Sequence, residues 1–232
     1  MNGIQTFTFV SLISKAFDSV HQETLWKIMK HYGIREKLIQ LVKCMYADNE
    51  CAVITANGTS EWFKIKSGVK QGCNMSGFLF LLVIDWVMRK STAENNTGIR
   101  WNFTTKLDDL DYADNIALLS STKEQLQSKF DNVSKYAHST GLKINTGKTK
   151  VMRFNTTTKQ PTKSTDEREI EEVETFTYLG SILTTTGGTN KDIRRRLGLA
   201  RTNTNMEQQS NIKKNKISSI QLKYYICPSL WK

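Results

Sequence analysis

The chain has 232 residues, 38% of them hydrophobic and 24% charged, and carries a net charge of +11. This is enough for one domain, or one domain with a small appendage, and the long middle can bury a core. It offers no transmembrane helix: the longest apolar run, Phe78 to Met88, is interrupted by Asp85 and is too short to cross a bilayer.

The N-terminus has no basic stretch leading into an apolar one, so no secretory signal is read there. Cys44, Cys51, Cys73 and Cys227 form no CxxC pair, and no histidine stands near them at zinc spacing. They read as thiols of a reducing, intracellular compartment, nucleus or cytoplasm. The charge is uneven. From Gly188 to Lys232 ten basic residues face two acidic ones, so this stretch carries +8 of the +11. A basic tail suits a polyanion, because each neutralised phosphate releases condensed counterions; the plainer reading is a solvated helix.

In chain order, Phe7 to Ile13 reads as a buried strand, rich in Phe, Val and Ile. Its abrupt start suggests that sequence upstream is missing. A helix follows over His21 to Tyr32, with Leu25, Ile28, Met29 and Tyr32 at helical spacing and Gly33 as its stop. Lys37 to Tyr46 repeats the pattern. Cys51 to Thr55 and Glu61 to Lys66 alternate around Asn57-Gly58, a hairpin signal. Asn74 to Lys90 reads as a long helix whose apolar face is Phe78, Leu81, Leu82, Ile84, Val87 and Met88. Thr105 to Leu110 and Ile116 to Leu119 read as strands around a tight turn at Tyr112-Ala113-Asp114-Asn115. Ser121 with Glu124 reads as a capping box for a helix that runs to about His138 and stops at Gly141. Lys150 to Phe154 is another strand, Thr156 to Arg168 a polar loop, and Thr175 to Leu183 strand-like. From Asp192 onward the pattern is helical and increasingly polar. The order implies an α+β fold, an antiparallel sheet with helices on one face.

Five segments carry more specific information. They are Ser14-Lys15-Ala16-Phe17-Asp18-Ser19-Val20-His21, Gly68 to Ser76 with Gln71-Gly72 at its centre, Leu110 to Leu119 with Tyr112-Ala113-Asp114-Asn115 inside it, Gly141 to Lys150, and Phe176-Thr177-Tyr178-Leu179-Gly180. In this order the first four resemble the palm of reverse transcriptases from non-LTR (LINE-like) retrotransposons. The fifth resembles the short hairpin that joins palm to thumb. The resemblance implies a palm over residues 1–187 and a basic partial thumb or tail over 188–232. Complete enzymes of the family have a fingers region ahead of the first palm strand and often an endonuclease domain further upstream. Neither is found in this sequence.

The resemblance also implies RNA-directed DNA polymerisation with two magnesium ions, one activating the primer 3′-oxygen and one steadying the departing pyrophosphate. Magnesium needs hard oxygen ligands. The family supplies one Asp on the first strand, five residues before an aromatic residue that checks the sugar of the incoming nucleotide, and two adjacent Asp at the hairpin turn. Phe17 matches that aromatic residue, which places Leu12 at the strand Asp; no Asp or Glu occurs from Met1 to Phe17. In the turn Asp114 is retained, and Asn115 stands where the second Asp would be. Asn keeps an oxygen and loses the charge; Leu offers no ligand. By alternation along a strand, Asp18 and Asp111 are expected to point away from the site.

Other positions match the family. Gln71 resembles the residue that touches nucleotide and template, Gly72 allows close backbone approach, Tyr112 is the aromatic of the turn, and Lys148 resembles the lysine that protonates or steadies the leaving phosphate. For Lys148 the alternative is a solvated loop lysine, and for Phe17 and Tyr112 it is core packing. His21, His31 and His138 are scattered and read as surface residues. Arg194, Arg195, Arg196 and Arg201 are the candidate nucleic-acid contacts of the tail. Two functions compete: a catalytically impaired polymerase palm, with RNA template and DNA primer as partners, and a binding module that holds nucleic acid without chemistry. The oligomeric state is not legible.

Overall fold

In the computed structural model, residues 6–14, 16–55, 58–92, 97–100, 105–154, 161–164 and 168–210 are described, with the side chains of 6–12, 14 and 201–210 left aside. The elements in order are β1 (Thr6–Ser14), α1 (Ala16–Ser19), α2 (Gln22–His31), α3 (Glu36–Tyr46), β2 (Glu50–Cys51), β3 (Ile54–Thr55), β4 (Gly58–Thr59), β5 (Phe63–Lys64), α4 (Asn74–Thr92), β6 (Ile99–Arg100), β7 (Lys106–Leu107), β8 (Asp109–Tyr112), β9 (Asn115–Ser120), α5 (Lys123–Ser139), β10 (Lys143–Ile144), β11 (Lys150–Phe154), β12 (Thr175–Tyr178), β13 (Ser181–Thr184) and α6 (Asn190–Ser210).

The main sheet is antiparallel and centred on β1. β9 lies along one edge of β1, with β8 outside it; β11 and β10 share the other edge, one after the other. This is the α+β arrangement expected from the element order, and the palm that the family resemblance implies. Ile116 and Leu118 alternate along β9 into the main hydrophobic core, where they meet Leu126, Phe130 and Val133 of α5. α5 lies against β1 and β9, α4 packs on α5, α2 on α4, and α3 on α2. Burying side chains such as Phe130 and Leu126, both fully inaccessible, contributes about 2–3 kcal/mol each. Among the described residues no helix is long and apolar enough to cross a membrane.

Several expectations need correction. Phe78 and Leu81 are 55% and 54% exposed, and the buried face of α4 is built from Leu79, Phe80, Val83, Ile84, Val87 and Met88. The run Phe78 to Ile84 is apolar on every side, so periodicity cannot choose the face. The cap of α5 is Thr122, not Ser121. The Thr122 side chain accepts the Gln125 N–H at 3.3 Å, while the Ser121 hydroxyl donates to the Gly98 carbonyl. Two adjacent hydroxyls both satisfy the capping pattern, and the extended backbone at Thr122 decides between them.

The expected hairpin after α3 is divided. Its inner ladder pairs Ile54 with Thr59 and Thr55 with Gly58; its outer ladder pairs Glu50 with Lys64 and Cys51 with Phe63. Gly58 opens the returning strand instead of sitting inside the turn, and Asn57 lies outside the described residues. Within the segment read as a polar loop, Thr162 and Ser164 are buried, and Ser164 N–H and Ile170 N–H bond to the Arg168 and Thr162 carbonyls. Residues 156–160 and 165–167 of that loop lie outside the described residues.

Candidate active site

The turn between β8 and β9 is the centre of the site. Tyr112 and Asn115 are its closing pair, which leaves Ala113 and Asp114 as the two loop residues. Ala113 has φ +55, and among the described residues only Asp48 and Leu179 share a positive φ without being glycine. Positive φ at the first loop position alone is the pattern of a type II′ turn, which ordinarily takes glycine there. The strain is about 1 kcal/mol or more. Tyr112 is 66% exposed, so it is not a core residue.

The register of β1 brings the first segment to this turn. Leu12 lies directly opposite Asn115, and the Ile13 N–H donates to the Asp114 carbonyl at 3.2 Å. The three positions that the family resemblance singles out, 12, 114 and 115, therefore converge. The Asn115 amide donates to the Asp114 carboxylate at 3.3 Å and reaches the Tyr112 carbonyl at 3.5 Å. Asp111 pairs with Ile116, one step out of phase with the Tyr112–Asn115–Leu12 row, so it occupies the opposite face. Asp18 is on α1 and lines a cleft with Lys66 and Gly68, a lining that includes none of the turn residues 112–115. Among the described residues no group of three His, Cys, Asp or Glu is close enough to hold a metal ion.

The first, second and fourth segments are tied together by backbone. Val69 N–H donates to the Phe17 carbonyl at 2.7 Å, Gly68 N–H to Val20 at 2.8 Å, and His21 N–H to Thr140 at 2.8 Å. A Cβ on Gly68 would stand 2.8 Å from the Asp18 backbone, and one on Gly141 would stand 2.4 Å from the Ser19 carbonyl. Both glycines also have positive φ. Gly68 and Gly141 thus serve close approach within the chain, whereas Gly72 has φ +87 and open space around it. Gln71 is exposed beside it. Phe17 is half-buried and stacks on Phe80, with ring centroids 4.8 Å apart.

Lys148 sits in the loop joining β10 to β11, which flank β1 on the side away from β9. Its side chain is exposed, and its N–H donates to the Asn145 carbonyl and side chain, both at 3.1 Å. The arginines of α6 divide. Arg195 donates to the Gly180 carbonyl at 3.1 Å; Arg196 pairs with Asp192 at 2.8 Å and donates to Ser181 at 2.6 Å. With Asp192 accepting the Ile182 N–H at 2.9 Å, these contacts dock α6 on the β12–β13 hairpin. Arg194 is exposed, and the Arg201 side chain is outside the described set.

Two residues near the turn were missed in the sequence. The Tyr178 hydroxyl donates to the Leu110 and Asn115 carbonyls at 3.2 and 3.4 Å, which pins the β12–β13 hairpin to the turn. Burial, then the charge of Asp111, raises its pKa. Lys129 of α5 is fully buried. Its ammonium donates to Asp108 Oδ1 at 2.6 Å, to the Leu119 carbonyl at 2.7 Å and to the Asp108 carbonyl at 3.2 Å, locking the base of the hairpin. Tyr178 was signalled by its segment. A lysine among polar helix residues gave no signal.

This geometry, a strand flanked by a two-residue carboxylate-bearing hairpin with helices behind, defines a polymerase palm. The chain is similar in fold to apo telomerase from Candida tropicalis truncated from its C-terminal domain (TM-score 0.56, 18% identity, 78% of this chain and 34% of that one). Residues 4–183 match the family of reverse transcriptase (RNA-dependent DNA polymerase). The chain belongs to that family, on its non-LTR retrotransposon branch. It is 26% identical over 79% of its length to the Pol polyprotein of the type-1 retrotransposable element R2 of Popillia japonica, and 29% identical over 59% to that of the type-2 element R2DM of Drosophila melanogaster. It spans 32% and 13% of the lengths of those two relatives.

Proposed function

We propose that this chain is a reverse transcriptase palm that retains the frame for an RNA template and a DNA primer and lacks the carboxylates for two-metal catalysis. The observation that carries this reading is the row formed by Leu12 opposite Asn115, with Asp114 beside it. In the family these positions hold divalent cations, which activate the primer oxygen and steady the leaving group. The donor set here does not fit two magnesium ions. Leu12 offers no oxygen, Asn115 offers an uncharged one, and the Asn115 amide donates a hydrogen bond to the Asp114 carboxylate. Losing strong charged stabilisers of this kind costs roughly 10²–10³-fold in rate each. On this reading Phe17, Gln71, Gly72 and Tyr112 line the substrate path, Lys148 flanks it, and the segment from residue 188 onward is the start of a thumb.

The test is primer extension on an RNA template by the unaltered chain and by the double variant Leu12→Asp/Asn115→Asp, with Mn²⁺ binding followed by electron paramagnetic resonance. The unaltered chain should give no extension and weak Mn²⁺ binding; the double variant should bind Mn²⁺ at least about tenfold more tightly, since each added charge near a dication is worth about 1 kcal/mol or more in water. Template-dependent extension by the unaltered chain overturns the reading. The second reading, a binding module without chemistry, is favoured by the basic stretch from residue 188, and predicts salt-dependent nucleic-acid binding that no metal alters.

A further inference from the structure

We propose that the outward face of α3 docks an acidic amphipathic helix of a protein partner, which lies along Leu38, Leu41 and Met45 and sets carboxylates against Arg35 and Lys37. The inference uses no residue of the β8–β9 turn or of α6, so it stands apart from the palm reading.

α3 is apolar on two faces. One turns Ile39, Val42 and Tyr46 into the core, where the Tyr46 ring meets the edge of Trp26 of α2. The other leaves Leu38 55%, Leu41 60% and Met45 37% exposed. A helix that is apolar on both sides is ordinarily covered on both. The exposed three recur at intervals of three and then four residues, the spacing that keeps a seam turned toward a second helix. With Ile39, Val42 and Tyr46 turned inward, only this narrow stripe is left outside. That suits the ridge of one helix and gives a bilayer surface little to hold.

The charges select the partner. Arg35, at the N-cap, and Lys37 are exposed beside Leu38. At the other end of α3 the Lys70 ammonium donates to the Met45 carbonyl at 2.7 Å. Glu36 is the only carboxylate of α3; at 100° per residue it falls on the side opposite the stripe, where the Gln40 amide donates to it at 2.8 Å. Both ends of the stripe are therefore basic, and no acidic side chain of α3 borders it. A second copy of this chain is a poor occupant. Parallel pairing would bring Arg35 and Lys37 against their own counterparts, and antiparallel pairing would bring them against Lys70. A helix with an apolar seam and acidic flanks meets both the stripe and its charges.

The test uses the full chain and two labelled three-heptad peptides, read by fluorescence anisotropy. Both carry Leu at the first and fourth heptad positions; one carries Glu and the other Lys at the fifth and seventh, like charges that keep each peptide from pairing with itself. The Glu peptide should bind, and the Lys peptide should bind at least about tenfold more weakly. Leu38→Ala/Leu41→Ala should weaken binding of the Glu peptide at least about tenfold, since two half-exposed leucines lose their contact. Leu38→Met/Leu41→Met should retain it, and Arg35→Glu/Lys37→Glu should reverse the preference between the peptides. These positions are exposed, so all three variants should unfold at the urea midpoint of the parent. Failure of the unaltered chain to bind the Glu peptide, or equal binding of both peptides, overturns the proposal. So does a loss confined to the charge variant with Leu38→Ala/Leu41→Ala neutral, because a diffuse basic surface would give that. Attachment to phosphatidylserine vesicles that Leu38→Ala/Leu41→Ala abolishes, with the Glu peptide unbound, assigns the face to a membrane and overturns it as well.

Discussion

Replacing Lys129 by Met tests how the base of the β8–β9 hairpin is held. Lys129 has no exposed side-chain surface, and its ammonium meets one carboxylate oxygen and two carbonyls. Met fills the space of the methylene stem, so the packing change is small. The electrostatic change is not. Removing one member of a buried pair costs about 3–5 kcal/mol, because its partner stays behind unpaired. Here the Asp108 side chain is 24% exposed, and its carbonyl keeps the Leu119 N–H at 2.8 Å. Water therefore takes up part of the loss, and the expected cost is about 2–3 kcal/mol. Burial lowers the Lys129 pKa against the opposing hydrogen bond and charge of Asp108, so the ammonium is less comfortable here than in water. The pair as a whole then contributes little, and Lys129→Met/Asp108→Asn should return to within about 1 kcal/mol of the parent. Urea unfolding followed by circular dichroism reads both. With a slope of about 2 kcal/mol per molar, the single variant moves the midpoint down by about 1 M. A single variant as stable as the parent, or a double variant no better than the single, would refute the argument.

Two further predictions concern the frame. Gly141→Ala places a methyl group 2.4 Å from the Ser19 carbonyl on a backbone at φ +84, whereas Gly72→Ala meets only the strain of φ +87. Thermal unfolding should show Gly141→Ala costing about 2 kcal/mol or more and Gly72→Ala about 1 kcal/mol; equal losses would mean that the contact between the first and fourth segments carries no weight. Asp109 is half-buried, and burial, followed by the charges of Asp111 and Asp108 against that of Lys129, raises its pKa to about 6. A raised carboxyl binds its proton more tightly in the folded chain, so its contribution is full below about pH 4 and is lost as pH rises through about 6. The full shift would be worth about 3 kcal/mol, and partial exposure reduces this to about 1 kcal/mol. Asp109→Asn should remove that share of the stability difference between pH 5 and pH 7, and an unchanged difference counts against it.

Much of the architecture was legible because the elements that place the site have unambiguous local signals. β1 and β9 are short runs of apolar and β-branched residues, and the two-residue turn between Tyr112 and Asn115 falls where the polar break interrupts them. The phase of Asp111 was legible too, since alternation on a strand leaves no freedom. What escaped depends on contacts between distant segments. The glycine at 68 looks like any turn glycine until the Asp18 backbone is placed against it, and Gly141 looks like a helix stop until Ser19 arrives. Lys129 is polar by type and buried by position. Arg195 and Arg196 read as free cations because the hairpin carbonyl and hydroxyl they reach lie 15 residues back in the chain. Sequence periodicity reports which face an element buries only when its faces differ, and those of α4 do not.

The register of β1 against β9 gives the absent carboxylates a physical meaning apart from catalysis. Like charges directly opposite each other on adjacent strands are destabilising. Carboxylates at both 12 and 115, with Asp114 adjoining, would place three negative groups around one turn, already strained at Ala113. Bound cations would offset the repulsion within such a cluster. With leucine and asparagine at the two opposed positions the repulsion is gone, and the Asn115 amide satisfies part of the remaining Asp114 carboxylate. The same two residues that, on the proposed reading, remove a cation site therefore also relax the hairpin. On the reading proposed above, a palm with no polymerase step to perform gains stability from this exchange.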